Sequence, residues 1–480
     1  VNNAVNGECM QTRKDLYQAY RFMQQRLGLA LLRGEPDLPE SPMRRHNVAT
    51  FCGIMVGVLV LAGFGVWGLI SKGGATALDK PGQLLIDEDT GASYVFDQRG
   101  RRLVPVANYA SARLILDTPD VVRRAVSGAS LAGYPRAPMV GIPGAPAWLP
   151  EPKRLVRGPW SVCVRETGES AGRPQVTLLA GPRPGGRALG GTGDALLVQG
   201  EDGQPWLVWA DRRMRVTQQA ARALSDAAPR RVPGSWLNAL PAGPDFAAPE
   251  VPERGREVTG PGGRPARVGQ IFTVPSVAGG AARWYVQLAD GLAPVSAAQA
   301  TMLILDPGSR AAYGKADVAA IPLDAATANS APPSKIVLRD DRLPSATPRI
   351  AVLPVNEPLC VVYADTARGS TRAVLSVGGV IPAGPAVRPG TGPGRFDQVV
   401  LPPGGAILAG LLPGEGRLDA VRSYWIVTDQ GQRFALTSPD LIEKLGYQAK
   451  DVAPMPGNLL QMIPEGPALD PARAALPVSP

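Results

Sequence analysis

The stretch from Val48 to Ile70 reads VATFCGIMVGVLVLAGFGVWGLI, 23 consecutive residues without a charge. About 20 apolar residues span about 30 Å of hydrocarbon as an α-helix. Gly53, Gly57, Gly63, Gly65 and Gly68 are tolerable in such a helix, because lipid brings no water to compete for the backbone. Trp67 stands near one end, where an indole can lie at the interface. A signal peptide is the alternative. Against it, the run is longer than a signal-peptide apolar region, 47 residues precede it, and no A-x-A pattern follows. A buried soluble helix is the blander reading. The expectation is a retained transmembrane helix from Val48 to Ile70.

Charge and cysteine usage follow from that helix. Arg33, Arg44 and Arg45 flank it on one side, Lys72 and Lys80 on the other, which favours the N-terminal arm inside. The remaining residues, 71–480, then lie outside. The chain carries a net charge of +9, yet no run of five cations occurs, so the excess does not read as nucleic-acid binding. Of the four Cys, Cys9 falls inside and Cys52 in the membrane. Cys163 and Cys360 fall outside, in an oxidising compartment, each within a strand-like apolar run (WSVCV and LCVVY). A disulfide between them is expected; two separate buried thiols are the alternative.

Within the arm, Leu16, Tyr20, Met23, Leu27 and Ala30 recur at spacings of four and three, one face of a helix. Asp15 near its start and Arg33 near its end suit the helix dipole. Such a helix has no core of its own, so it lies on the membrane or docks on a partner. A short anchor without a partner is the alternative. Residues 35–39 (EPDLP) break it before the membrane.

One pattern recurs four times outside. An apolar strand meets an Asp/Gly turn, a second strand follows, and a capped short helix closes the unit. The turns are Asp97 with Gly100, Asp202 with Gly203, Asp290 with Gly291, and Asp429 with Gly431. Asn108, Thr217 and Ser296 are the candidate caps of the first three helices; Thr437 and Ser438 precede Pro439 in the fourth. The turn glycines are unevenly spaced, which excludes a solenoid. A hairpin with one short helix is marginal alone, so the copies pack on something central. Residues 269–274 and 350–355 read as further core strands; four beads on linkers are the alternative. Residues 181–193, 382–395 and the tail after Ala453 are rich in Pro and Gly and read as loops, with the apolar run Leu459-Leu460-Gln461-Met462-Ile463 a candidate for docking and disorder beyond Pro464.

The expected fold is thus a single-pass membrane protein. It has an N-terminal amphipathic helix and a large β-rich α+β extracytoplasmic part, with four hairpin-plus-helix repeats around a disulfide-closed β core. The expected divisions are an arm (1–47), the membrane helix (48–70), repeats at 71–128, 181–230, 281–310 and 416–450, core segments at 129–180, 231–280 and 311–415, and a Pro-rich tail (451–480).

The sequence carries no recognisable catalytic constellation. His46 is the only His, which excludes a Ser-His-Asp mechanism or a multi-His metal site that it does not itself supply. No G-x-x-x-x-G-K-[ST] and no CxxC occur. Asp87-Glu88-Asp89 and Asp340-Asp341 sit in turn-like contexts and read as solvated loops. Neither a catalytic residue nor a metal site is expected.

Several stretches together resemble the EccB family, membrane core components of actinobacterial type VII (ESX) secretion systems. They are Tyr20-Arg21-Phe22, Ser41-Pro42-Met43-Arg44-Arg45, NYASARLIL at 108–116, GIPGAP at 141–146, SWLNALPAGP at 235–244 and LADGLAPV at 288–295. The resemblance implies an inner-membrane complex with EccC-, EccD- and EccE-type partners that exports folded helical-hairpin substrates. It implies a structural role, a homo-oligomeric state within the complex, the lipid bilayer as surroundings, and Cys163 and Cys360 as the core cystine. Peptidoglycan binding by the repeats is the other expectation carried forward. ATPase activity is attributed to the family; with no nucleotide motif here, no cofactor is expected and ATP is the one alternative.

Overall fold

The structure is a computed structural model describing residues 13–33, 42–70, 77–166, 174–189, 193–276, 279–383 and 394–478. The chain divides into two units, Val1–Thr76 and Ala77–Pro480. The expected helix break at 35–39, Cys9, Lys72 and most of the loop at 382–395 lie outside the described residues.

The first unit holds two helices. The arm helix, Arg13–Arg33, has no internal Pro and carries Asp15 in its first turn, where a carboxylate complements the helix dipole. The second, Pro42–Ile70, is 29 residues long and starts six residues before the apolar run. Within it, Arg45–Trp67 is long and apolar enough to cross a membrane, the one such helix among the described residues. At about 1.5 Å per residue its 23 residues reach about 35 Å.

The second unit is mainly β. Its four repeats share one strand order, in which three antiparallel strands lead into a helix and a fourth strand returns parallel to the first. Repeat 1 comprises Gln83–Asp87, Ser93–Asp97, Arg102–Pro105, helix Tyr109–Leu116 and Val122–Val126. Repeat 2 comprises Asp194–Gln199, Pro205–Trp209, Arg212–Arg215, helix Gln218–Leu224 and Arg230–Arg231. Repeat 3 runs from Ile271–Val274 through Arg283–Leu288, Gly291–Val295 and helix Ala297–Leu305 to Ile321–Pro322. Repeat 4 runs from Ala406–Leu412 through Tyr424–Thr428, Arg433–Leu436 and helix Leu441–Lys444 to Ala453–Pro456. Three of the four repeat helices start where a side chain satisfies free N–H groups, and that of repeat 4 has no such side-chain cap. Asn108, Thr217 and Ser296 each accept from the backbone three residues on, and Ser296 forms a capping box with Gln299.

Each unit is therefore larger than the hairpin-plus-helix read from the sequence, and the frame of the second copy changes. Asp202 and Gly203 join the first and second strands of repeat 2, whereas the other three Asp/Gly turns join the second and third. The turn equivalent to Asp290 and Gly291 is Ala210-Asp211, followed by Arg212. Here Ala210 adopts the positive φ (53°) that no glycine supplies. In repeat 1 the positive φ likewise falls on Arg101, not on Gly100. Residues 271–274 are the first strand of repeat 3 and not a core strand. Of 350–355, only Ile350 is in a strand, Arg349–Ile350, which pairs with repeat 2. Within 181–193, Arg187–Leu189 is a strand rather than loop.

The central sheet has six strands, in the order Gln398–Val400, Gln175–Ala180, Trp160–Arg165, Leu359–Tyr363, Val374–Val377, Arg187–Leu189. Strand periodicity explains how it is flanked. In repeat 4, Ile407 and Ala409 face the central core while Ala406 and Leu408 face a second core shared with Ala110 and Leu114 of repeat 1. In repeat 2, Leu196 and Val198 face the central core while Ala195 and Leu197 face a third, shared with Ala298 and Met302 of repeat 3. The packing order is repeat 1, repeat 4, centre, repeat 2, repeat 3. Strands buried on both faces read as continuous apolar runs, as AILAGLL and ALLV do.

The tail is ordered from Glu465 through residue 478, against expectation. Leu469 pairs with Leu436, Asp470 caps helix Pro471–Ala474, and Pro477 pairs with Val140 of the segment after repeat 1. Leu469 and Ala474 are fully buried, which offsets the entropy of ordering so Pro-rich a segment.

Candidate functional site

The cystine is the first predicted feature that the fold brings together. Cys163 and Cys360, 197 residues apart, sit directly opposite each other on antiparallel neighbouring strands, with Cα atoms 4.0 Å apart. Both are fully buried, against Leu179, Ile381 and Val400. Around them the central sheet is held by large aromatic side chains whose polar ends all find acceptors, as burial demands. Trp236 Nε1 donates to the Leu359 carbonyl (3.1 Å) and Trp160 Nε1 to that of Pro454 (3.1 Å). The Tyr363 hydroxyl donates to the Ala239 carbonyl. Burial pushes the Tyr363 phenol up to about 12.

The repeat turns stay apart; each bonds within its own repeat or to a flanking segment. Asp97 accepts from the Arg99 N–H (3.0 Å) and Arg102 Nε (3.1 Å). Bonds from the Gly100 N–H first, then from Arg102, hold its carboxyl below the usual range. Asp202 accepts from the Gln204 N–H (3.0 Å), and Asp429 from the Gly404 N–H (3.1 Å). Asp290 accepts from Ser334 Oγ (2.7 Å) and the Lys335 N–H (2.9 Å), and these bonds lower its pKa. A Cβ on Gly291 would stand 2.1 Å from the Pro332 carbonyl oxygen, so only glycine fits there. The Asp290 and Asp429 turns fasten a flanking segment to their repeats, whereas the Asp97 and Asp202 turns close on themselves.

Sequence reasoning missed Arg113. It lies within NYASARLIL and is 5% exposed. Its Nε donates to the Lys444 carbonyl (3.1 Å) at the end of the repeat 4 helix, and its Nη2 to the Pro119 carbonyl (3.0 Å). A cation at a helix C-terminus satisfies free carbonyls and complements the dipole. Lys444 Nζ returns the link to Asp117 (2.9 Å). The only sequence signal was a lone Arg amid the apolar positions of a short helix.

In the first unit, Leu16, Tyr20, Met23 and Leu27 are 58–65% exposed along the arm helix, an apolar stripe left uncovered within this chain. The membrane-length helix from Arg45 to Trp67 is likewise uncovered. Among the described residues, no cluster of His, Cys, Asp and Glu could hold a metal ion.

One unit carries a long uncovered apolar helix of membrane-spanning length and the other is a large cystine-bearing β unit, the division of a membrane-associated assembly component. The family model described as type VII secretion system ESX-1, transport TM domain B, matches residues 10–478, and the chain belongs to that family. The ESX-5 secretion system ATPase EccB5 of Mycobacterium tuberculosis (strain ATCC 25618 / H37Rv) is 28% identical over 481 residues, covering 95% of this chain and 91% of the relative. The ESX-3 secretion system ATPase EccB3 of Mycolicibacterium smegmatis is 29% identical, covering 94% and 88%. Among solved structures, a chain of an intact ESX-5 inner membrane complex superposes with a TM-score of 0.64 at 26% identity, over 99% of this chain and 97% of that one. The EccB3 dimer from the ESX-3 core complex gives 0.61 at 25% identity, over 82% and 99%.

Proposed function

We propose that this chain is a structural membrane component of a type VII secretion complex. Its arm would lie in the cytoplasm and residues 77–480 outside the membrane, anchoring the export machinery across it. The carrying observation is the family match across residues 10–478, which takes in the arm, the membrane-length helix and the β unit together. The arm helix would dock on EccC-, EccD- or EccE-type partners through Leu16, Tyr20, Met23 and Leu27. The exposure of that stripe supports this, since an uncovered apolar face favours a covering surface. A homo-oligomeric state within the complex is supported by the relative solved as a dimer.

The curated relatives carry "ATPase" in their names. Our reading is that this chain does not hydrolyse ATP: no Walker-type motif occurs, and an outside location would place residues 77–480 where ATP is scarce. A nucleotide-binding titration of the full chain separates the two. Peptidoglycan anchoring is the other reading, tested by co-sedimentation with purified cell wall. The assembly role is tested by replacing Leu16, Tyr20, Met23 and Leu27 together with Gln. The variant is expected to insert in the membrane yet fail to co-purify with the complex; a complex of normal size and yield would reject the docking role.

A further inference from the structure

Repeats 1 and 3 are the outer pair, yet their interiors differ. Beneath the helix of repeat 3, the described residues form a cluster of ten buried side chains. Beneath that of repeat 1 the cluster has four, Leu84, Val95, Val106 and Ala112, with Val104, Ile115, Leu116 and Val140 only partly covered. Apolar surface left partly open this way marks a binding groove more often than a packing defect. Here it opens into a cleft of about 730 Å³ between the repeat 1 sheet, the end of its helix and the returning tail. Its walls are Phe96, Val104, Ile115, Leu116, Val140 and Pro477.

Three cations, Lys80, Arg99 and Arg102, also line the cleft, against one acid, Asp97. Asp97 is engaged by Arg102 (3.1 Å), and among the described residues Lys80 and Arg99 have no ion pair. The cleft therefore pairs an apolar interior with a cationic edge, the chemistry that receives an apolar chain ending in an anionic head. In sequence, Lys80 comes ten residues after Ile70, the end of the membrane-length helix. The anionic amphiphile at hand for such a segment is a membrane lipid.

We propose that the repeat 1 cleft binds an anionic phospholipid, taking one acyl chain against Ile115, Leu116 and Val140 and the phosphate on Lys80 and Arg99. This inference does not depend on the secretion role. The test uses the full chain, with soluble dioctanoyl phosphatidylglycerol as probe and dioctanoyl phosphatidylcholine as neutral comparator, and counts retained lipid by native mass spectrometry. Wild type is expected to retain one phosphatidylglycerol at a concentration at least fivefold below that needed for phosphatidylcholine. The exposed double variant K80Q/R99Q is expected to lose that preference, and A137W, which fills the cleft, to lose the retained molecule. Any lipid held by the membrane helix itself is common to all three proteins and cancels. Equal retention of both lipids by wild type, or undiminished phosphatidylglycerol retention in either variant, overturns the proposal.

Discussion

Breaking the cystine should cost the β unit several kcal/mol through its unfolded state. Cys163 and Cys360 close a loop of 197 residues that contains all of repeats 2 and 3. In the chain-entropy model a loop that long removes about 18 cal/mol/K from the unfolded ensemble, or about 5 kcal/mol at 25 °C, an upper-end figure. Unfolding about 400 residues carries an entropy of about 0.85 kcal/mol/K, so the loss corresponds to about 6 °C in Tm. The cleanest perturbation is reduction of the wild-type protein, because the two thiols then fill the same space beside Leu179, Ile381 and Val400. C163A/C360A is the permanent counterpart and adds about 1 kcal/mol per site for the lost volume. Thermal and guanidinium unfolding of oxidised and reduced protein supply the comparison. The reduced form should melt lower and show a steeper denaturant dependence, since its unfolded chain exposes more surface. Because the bridge is fully buried, reduction of the native protein should also be slow and limited by sheet opening. Identical midpoints and slopes, or rapid reduction of the folded protein, would refute the reasoning.

Two further outcomes are expected. Arg113→Met should destabilise the junction of repeats 1 and 4 by about 2 kcal/mol, because two part-buried hydrogen bonds lose their charged donor; hydrogen exchange should rise at the repeat 4 helix while the central sheet stays protected. Asp290 has a folded pKa held below its ordinary 3.8 by Ser334 and the Lys335 N–H. Its contribution is therefore present above about pH 4 and lost as pH falls through the lowered value. Asp290→Asn should abolish that acid-linked release of the 334–335 segment, read by carboxyl and amide NMR titration.

Legibility in the sequence depended on local signals. The membrane-length helix was plain because 23 residues without a charge form one continuous apolar run. Three of the four turns were plain because Asp/Gly pairs mark a change of direction. The fourth misled, since Asp202-Gly203 has the same chemistry as its counterparts but sits one strand earlier, while the equivalent turn uses Ala210 at positive φ. The returning strands carried no signal at all. Val122–Val126 reads VRRAV, and Arg230–Arg231 is two residues long; both form because the first strand of the repeat offers a free edge. Leu469 and Ala474 look like a Pro-rich tail in isolation and are buried only because repeats 1 and 4 already stand side by side. Function was legible through the combined resemblance, not through any one residue.

The tail's return to repeat 1 has a mechanical meaning. The unit's described residues begin at Ala77, whose carbonyl accepts from Arg124, and end at Val478, whose N–H donates to the Met139 carbonyl, so both are held on the segment comprising repeat 1 and the residues just after it. Repeats 2 and 3 are an out-and-back excursion that leaves the central sheet from Arg187–Leu189 at its edge and returns into Leu359–Tyr363, with Val374–Val377 between the two. A pull on that far end would load those two strands in peeling mode, where hydrogen bonds break singly and in succession. The cystine ties the returning strand to Trp160–Arg165, so a tear that starts at that edge is stopped by a covalent bond before it reaches the other half of the sheet.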